Sequence, residues 1–78
     1  MSRVEEKAVQ AIEAFLKGRL DLDALQDELV QVTWDNPEAP EVALDAELLI
    51  AEATSGDLSE DRLREALSAA VRRAYATA

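Results

Sequence analysis

The side chains with the greatest capacity for chemistry in this sequence are carboxylates. Asp and Glu total 17 against 8 Lys and Arg, so the formal net charge is −9. Two like-charged pairs, Asp23 with Asp27 and Glu41 with Asp45, stand at i,i+4 spacing, where repulsion weakens a helix by roughly 0.2–0.5 kcal/mol. The excess of acidic over basic residues has two interpretations. It could form a surface that binds a basic protein, or it could belong to ordinary solvated polar faces. The candidate partner-binding residues are Asp23, Asp27, Trp34, Asp35, Glu38, Glu41 and Asp45.

The same carboxylates match neither a metal site nor a catalytic pair. Asp21-x-Asp23 followed by Asp27-Glu28 superficially resembles a calcium loop, but it lacks the central Gly and the terminal Glu of an EF-hand. The sequence has no His and no Cys, which removes the usual general base, the imidazole ligand and the thiolate ligand. A paired acid and base would need a cleft that separates their pKa values, and a chain this small has little room for one. We expect no metal, no cofactor and no enzymatic activity.

Two aromatic residues admit both a structural and a functional interpretation. Trp34 is the only Trp and lies beside a linker that contains both prolines. It could close one end of the core, or it could be an exposed anchor of a protein interface, where Trp is enriched. Tyr75 has the same ambiguity, and its hydroxyl is expected at the rim of the fold.

The net charge also limits the partners. Nucleic acid and anionic membrane surfaces both repel a domain of charge −9, whereas a basic protein attracts it. The basic residues of the fourth helix, Arg62, Arg64, Arg72 and Arg73, could belong to a DNA-reading helix. Their arrangement also fits local pairing at i,i+3, of Asp61 with Arg64 and of Arg62 with Glu65. Acidic faces that mimic nucleic acid are a further alternative. The charged N-terminus and the lack of a long apolar run predict a cytoplasmic protein.

Start and stop signals divide the chain into four helices. Ser2, Asp21 and Ser59 are suited to N-caps, and Gly18 is suited to the left-handed position after a helix. Apolar residues recur at helical spacing between these signals. The predicted helices span about 3–17, 22–34, 40–54 and 59–75, with the third beginning at Pro40 because the first turn needs no N–H there.

The helices should assemble as a small antiparallel four-helix bundle. Residues 18–29 and 56–67 have Gly, Leu and Asp at equivalent positions. This indicates either a duplication or similar stop and start signals in two helical hairpins. Each hairpin has one apolar face, and burying these faces on each other makes one all-α domain over residues 1–78. Leu44 and Leu48 widen the apolar face of the third helix, so a homodimer or assembly subunit is the alternative to a module that binds a basic partner.

The run Phe15-Leu16-Lys17-Gly18-Arg19-Leu20-Asp21, with Leu25 after it, resembles the pattern F-L-x-G-x-I-s-x-x-x-[FL] of bacterial colicin-like immunity proteins. Leu58-Ser59-Glu60-Asp61-Arg62-Leu63 is similar to the start of that family's closing helix. The resemblance implies a small acidic helical bundle that masks the basic active site of a toxic nuclease. It also implies that acidic residues of the second and third helices carry the interaction.

Overall fold

The computed structural model describes residues 2–34, 36 and 38–77, and these form four helices without any strand. The helices are α1 (Arg3–Leu16), α2 (Leu22–Trp34), α3 (Glu41–Thr54) and α4 (Glu60–Ala76). The all-α, four-helix prediction is therefore confirmed. Connections of five or six residues join the helices, which makes each helix antiparallel to the next.

Side-chain caps decide where three of the helices begin. The N–H of Glu5 donates to Ser2 Oγ over 3.1 Å, and the N–H of Ala24 donates to Asp21 Oδ1 over 2.8 Å. Ser59 caps α4 in the same way through the N–H of Arg62. Each cap satisfies a backbone donor that has no partner inside its helix.

Pro40 differs from its predicted place in the first turn. It is the N-cap of α3, with an extended backbone at φ −66° and ψ 146°. Since Pro offers no side-chain acceptor, α3 begins without a side-chain cap hydrogen bond. Elsewhere the predicted helix ends are correct to within one residue.

The two glycines end α1 and α3 by the same geometry. Gly18 and Gly56 have φ values of +78° and +88°, a left-handed region that other residues enter only at a cost. At the first turn the N–H of Arg19 donates to the carbonyl of Ala14, and at the second the N–H of Asp57 donates to Glu52, over 2.8 and 2.9 Å. The residue identities shared by segments 18–29 and 56–67 thus correspond to equivalent turns between helices.

The four helices are packed unequally. Both α1 and α3 contact all three other helices, whereas α2 and α4 do not contact each other within the described residues. Ala8, Ala43 and Ala46 are fully buried on the two central helices, α1 and α3, and small side chains allow close approach of helix backbones. As a result α2 buries only Leu25 and Leu29 completely, while α1 and α4 each bury five residues. Much of the surface of α2 remains open.

Candidate protein-interaction surface

Trp34 is the most exposed large apolar side chain among the described residues. It is the last residue of α2, and 79% of its surface is accessible. The interpretation of Trp34 as a plug for the core is therefore wrong. Val30 lies one turn earlier on the same side of α2 and is 42% exposed.

A second pair of exposed apolar residues lies on α3. Leu44 and Leu48 are 51% and 62% exposed and are four residues apart, so they share one side of the helix. Their predicted widening of the apolar face is real, but the widened part faces solvent. The core side of α3 is formed instead by Val42, Ala43, Ala46 and Ile50.

A hydrogen bond between α2 and α3 relates the two exposed pairs. Thr33 Oγ1 donates to Glu47 Oε1 over 3.0 Å. At about 100° per residue, Val30 and Leu44 lie about 60° around their helices from Thr33 and Glu47. Trp34 and Leu48 lie about 40° further in the same direction. The exposed apolar residues therefore border the line along which α2 and α3 meet. We call them the apolar strip: Val30, Trp34, Leu44 and Leu48.

Acidic residues continue the apolar strip along both helices. Asp27, Val30 and Trp34 follow Asp23 by four, seven and eleven residues, which places all four on one line of α2. On α3, Glu41 precedes Leu44, and Glu52 follows Leu48 by one turn. The side chains of Asp23, Asp27, Glu41 and Glu52 are exposed. Together with the apolar strip they form what we call the α2–α3 face.

The structure brings most of the predicted partner-binding residues to this region. Glu38 is exposed in the linker ahead of α3, and its N–H is held by Asn36 Oδ1 at 3.1 Å. Asp35, another predicted residue, lies outside the described residues. The sequence does not single out Glu52, because nothing local distinguishes it from the other acidic residues.

Asp45 is the exception among the predicted residues. It points toward α4, where its Oδ2 lies 3.7 Å from Arg73 Nη2. Both side chains are substantially exposed, so this ion pair adds little stability. Asp45 nevertheless belongs to the junction of α3 and α4 and is separate from the α2–α3 face.

Acidic and basic residues are concentrated in different parts of the chain. Residues 20–61 contain thirteen acidic residues and no Lys or Arg, so all eight basic residues lie in or beside α1 and α4. The α2–α3 face therefore has no cation on its own helices. This segregation is visible in the sequence and is the signal that would have located the face.

The junction of α1 and α4 is closed by cationic and aromatic groups. Arg64 places its guanidinium carbon 4.7 Å from the centre of the Phe15 ring and donates to the carbonyl of Leu16 over 3.3 Å. That carbonyl belongs to the last turn of α1, which has no intrahelical donor for it. Arg64 thus links the start of α4 to the end of α1.

The predicted local pairs of α4 are not formed. Instead of Asp61, Arg64 pairs with Glu60, at 3.9 Å and four residues away. The second predicted pair, Arg62 with Glu65, is not among the ion pairs of the described residues. The tertiary contacts of Arg64 with α1 direct its side chain away from Asp61.

Tyr75 also connects α4 to α1. It is 54% exposed, and its hydroxyl donates to Glu13 Oε1 over 3.2 Å, so the hydroxyl lies at the rim as expected. This hydrogen bond raises the pKa of Tyr75 above its ordinary value because it stabilises the protonated phenol, and the charges of Glu13 and Glu6 act in the same direction.

Other parts of the described surface offer less for binding. A groove of about 670 Å³ between α1 and α2 is lined by Val4, Lys7, Leu20 and Val32 among others, and by none of the predicted binding residues. The described residues contain no group of three or more acidic residues arranged for a metal ion. None of the helices in the described part of the chain has the length and apolar character needed to cross a membrane.

Comparisons of this chain with protein-family models, with curated proteins and with solved structures gave no match. The resemblance to immunity proteins rests on the two sequence segments alone.

Proposed function

We propose that this chain is a non-enzymatic interaction module that binds a basic protein through the α2–α3 face. The observation that carries the proposal is the exposure of Trp34 beside Leu44 and Leu48 on a hairpin without any cation. A large aromatic side chain supplies much of the binding energy when a partner buries it. The surrounding carboxylates would attract a basic partner and orient it during encounter.

The resemblance to immunity proteins favours one kind of partner. In that version the basic protein is a toxic nuclease, and this chain inhibits it by covering a cationic surface. The lack of His and Cys supports binding over catalysis, because the usual general base and nucleophile are missing.

The first test replaces Trp34 and compares the result with the other exposed aromatic residue. Tagged wild-type protein, Trp34→Ala and Tyr75→Ala are incubated with native lysate and washed at low salt, and the retained proteins are released with high salt and identified by mass spectrometry. We expect wild type and Tyr75→Ala to retain the same basic protein, and Trp34→Ala to lose it, since removing a central interface Trp costs about 2 kcal/mol or more. Equal capture by all three proteins would contradict the proposal.

The captured protein must then bind as a purified component. Because Trp34 is the only Trp in this chain, selective excitation against a partner without Trp, or difference spectra against Trp34→Ala, would report its burial as a shift of emission to shorter wavelength. Association should slow as salt increases. An unchanged Trp34 environment in the complex would place the interface elsewhere.

Charge reversal tests the acidic part of the face separately. Asp23→Lys/Asp27→Lys should slow association with the basic protein, while Glu6→Lys/Glu65→Lys changes the net charge equally at exposed sites on α1 and α4. Since steering depends on the charge that faces the partner, we expect the larger loss of on-rate from the first pair. Equal on-rates for the two double variants would exclude Asp23 and Asp27 as a specific site.

Self-association is the second candidate function, and the exposure of Leu44 and Leu48 favours it. A homodimer would bury both leucines against a second copy, and its melting temperature would rise with protein concentration. Sedimentation and melting curves over a hundredfold dilution test this candidate. A monomer with a constant melting temperature would reject it.

A further inference from the structure

Building on the proposed function, we infer that the segment of the partner seated on the α2–α3 face is a basic amphipathic α-helix. Its apolar residues cover about two turns, and Lys or Arg residues lie beyond both ends of that apolar stretch.

The Thr33–Glu47 hydrogen bond sets the relative heights of the apolar side chains. Val30 lies three residues before Thr33 and Leu44 three before Glu47, and the two helices are antiparallel. At about 1.5 Å per residue, Val30 and Leu44 are then about 9 Å apart along the bundle axis, with Leu48 and Trp34 between them. The four residues alternate between α2 and α3 and form one continuous strip. Its length corresponds to about two turns of a helix.

Acidic residues lie beyond both ends of this strip. Past Val30 come Asp27, Asp23 and, on α3, Glu52, while past Leu44 comes Glu41. By the same rise per residue, Asp23 and Glu41 are about 24 Å apart, which matches a helix of about 16 residues. The whole molecule measures 31 Å in its longest direction, so a helix of this length would fit along it. Complementary charge therefore belongs at both ends of the partner helix, and apolar residues belong in its middle.

A helix fits this surface better than an extended peptide or a second copy of the chain. The described residues contain no strand, so no sheet edge is available for pairing with an extended peptide. A second copy would bring its own α2–α3 face, which has no Lys or Arg. Two copies whose apolar strips lay along each other would set carboxylates against carboxylates at both ends.

Synthetic helices of about 16 residues test this inference. The first peptide has leucines at i, i+3, i+4 and i+7 in its middle, two lysines at each end, and Ala and Gln elsewhere. A second has Glu in place of each Lys. A third has the composition of the first with the lysines in the middle and the leucines at the ends. None contains an aromatic residue, so the emission of Trp34 reports binding to the face.

We expect the first peptide to shift the emission of Trp34 to shorter wavelength and to bind about tenfold more tightly than the third. The Glu-ended peptide should not bind. Equal binding of the first and third peptides would overturn the inference, because it would mean that binding does not depend on the order of leucines and lysines along the peptide.

A matched pair of variants locates the binding of the first peptide. Glu52→Lys should weaken it, because Glu52 lies at one end of the α2–α3 face. Glu65→Lys makes the same change of charge at an exposed site on α4 and should weaken it much less. Equal losses would overturn the placement of the helix.

Failure of the inference can be distinguished from failure of the proposed function. If no peptide binds but a basic protein is still captured in a Trp34-dependent way, the helix inference is wrong and the proposed function stands. If neither peptide nor protein binding depends on Trp34, both are wrong.

Discussion

Two helix junctions of this bundle, α1 with α4 and α2 with α3, differ in the side chains that cover them. Where α1 meets α4, Arg64 covers Phe15 and reaches the carbonyl of Leu16, and Tyr75 reaches Glu13. Where α2 meets α3, one side-chain hydrogen bond, from Thr33 to Glu47, accompanies apolar residues that remain exposed.

The difference follows from where the cations are. Every Lys and Arg belongs to the segments around α1 and α4, and only long cationic side chains can both cover a ring and donate to a free carbonyl. The α2–α3 side has carboxylates, aliphatic groups, Thr33 and Trp34, and none of these is a long cationic side chain. Its apolar residues are therefore exposed in this chain.

The largest expected effect separates residues that hold the fold from residues of the apolar strip. Leu67→Ala should lower the free energy of unfolding by about 2–5 kcal/mol, because Leu67 is fully buried and its loss leaves a cavity. Leu48→Ala should change it by about 0.5 kcal/mol or less. Denaturant unfolding followed by circular dichroism measures both, and a large loss from Leu48→Ala would assign the apolar strip to folding.

An intermediate effect should come from Arg64. Arg64→Ala removes the contact with Phe15 and the hydrogen bond to Leu16, and we expect a loss of about 1–2 kcal/mol. Arg62→Ala is the matched control, because Arg62 is exposed, and should cost about 0.5 kcal/mol or less. If the two variants unfolded at the same denaturant concentration, the junction of α1 and α4 would not depend on its cation.

The smallest effect concerns the titration of Tyr75, the only Tyr in the chain. Its pKa is raised above its ordinary value in the folded protein, first by the hydrogen bond to Glu13. The stabilisation is therefore fully present below pH about 10 and is lost as the pH rises through the raised pKa. Ultraviolet absorbance of the tyrosinate should show that Glu13→Ala lowers the pKa of Tyr75 toward its ordinary value. An unchanged titration curve would mean that the hydrogen bond does not persist in solution.

Local signals were sufficient to predict the helices. Ser2, Asp21 and Ser59 cap helices as their side chains predict, and Gly18 ends α1 with a positive φ. These features act over three or four residues, so they can be recognised without knowing the tertiary structure. Pro40 was placed one position too far into α3, because Pro is compatible with both the cap and the first turn.

The candidate surface was only partly predictable. The acidic excess and the candidates Asp23, Asp27, Glu38 and Glu41 could be found in the sequence. The side on which Asp45 lies could not, because its position relative to Arg73 depends on how α3 packs against α4.

The amino-acid sequence by itself determined the four helices and the turns between them. It also determined that the segment from residue 20 to residue 61 has thirteen acidic residues and no Lys or Arg. The tertiary structure decided which apolar residues remain outside. Leu44 and Leu48 have the same apolar character as the residues of the core, and periodicity alone assigns them to the apolar face of α3, while it leaves Trp34 open between the core and the surface. All three are exposed because other residues form the core sides of the two helices: Leu25 and Leu29 on α2, and Val42, Ala43, Ala46 and Ile50 on α3.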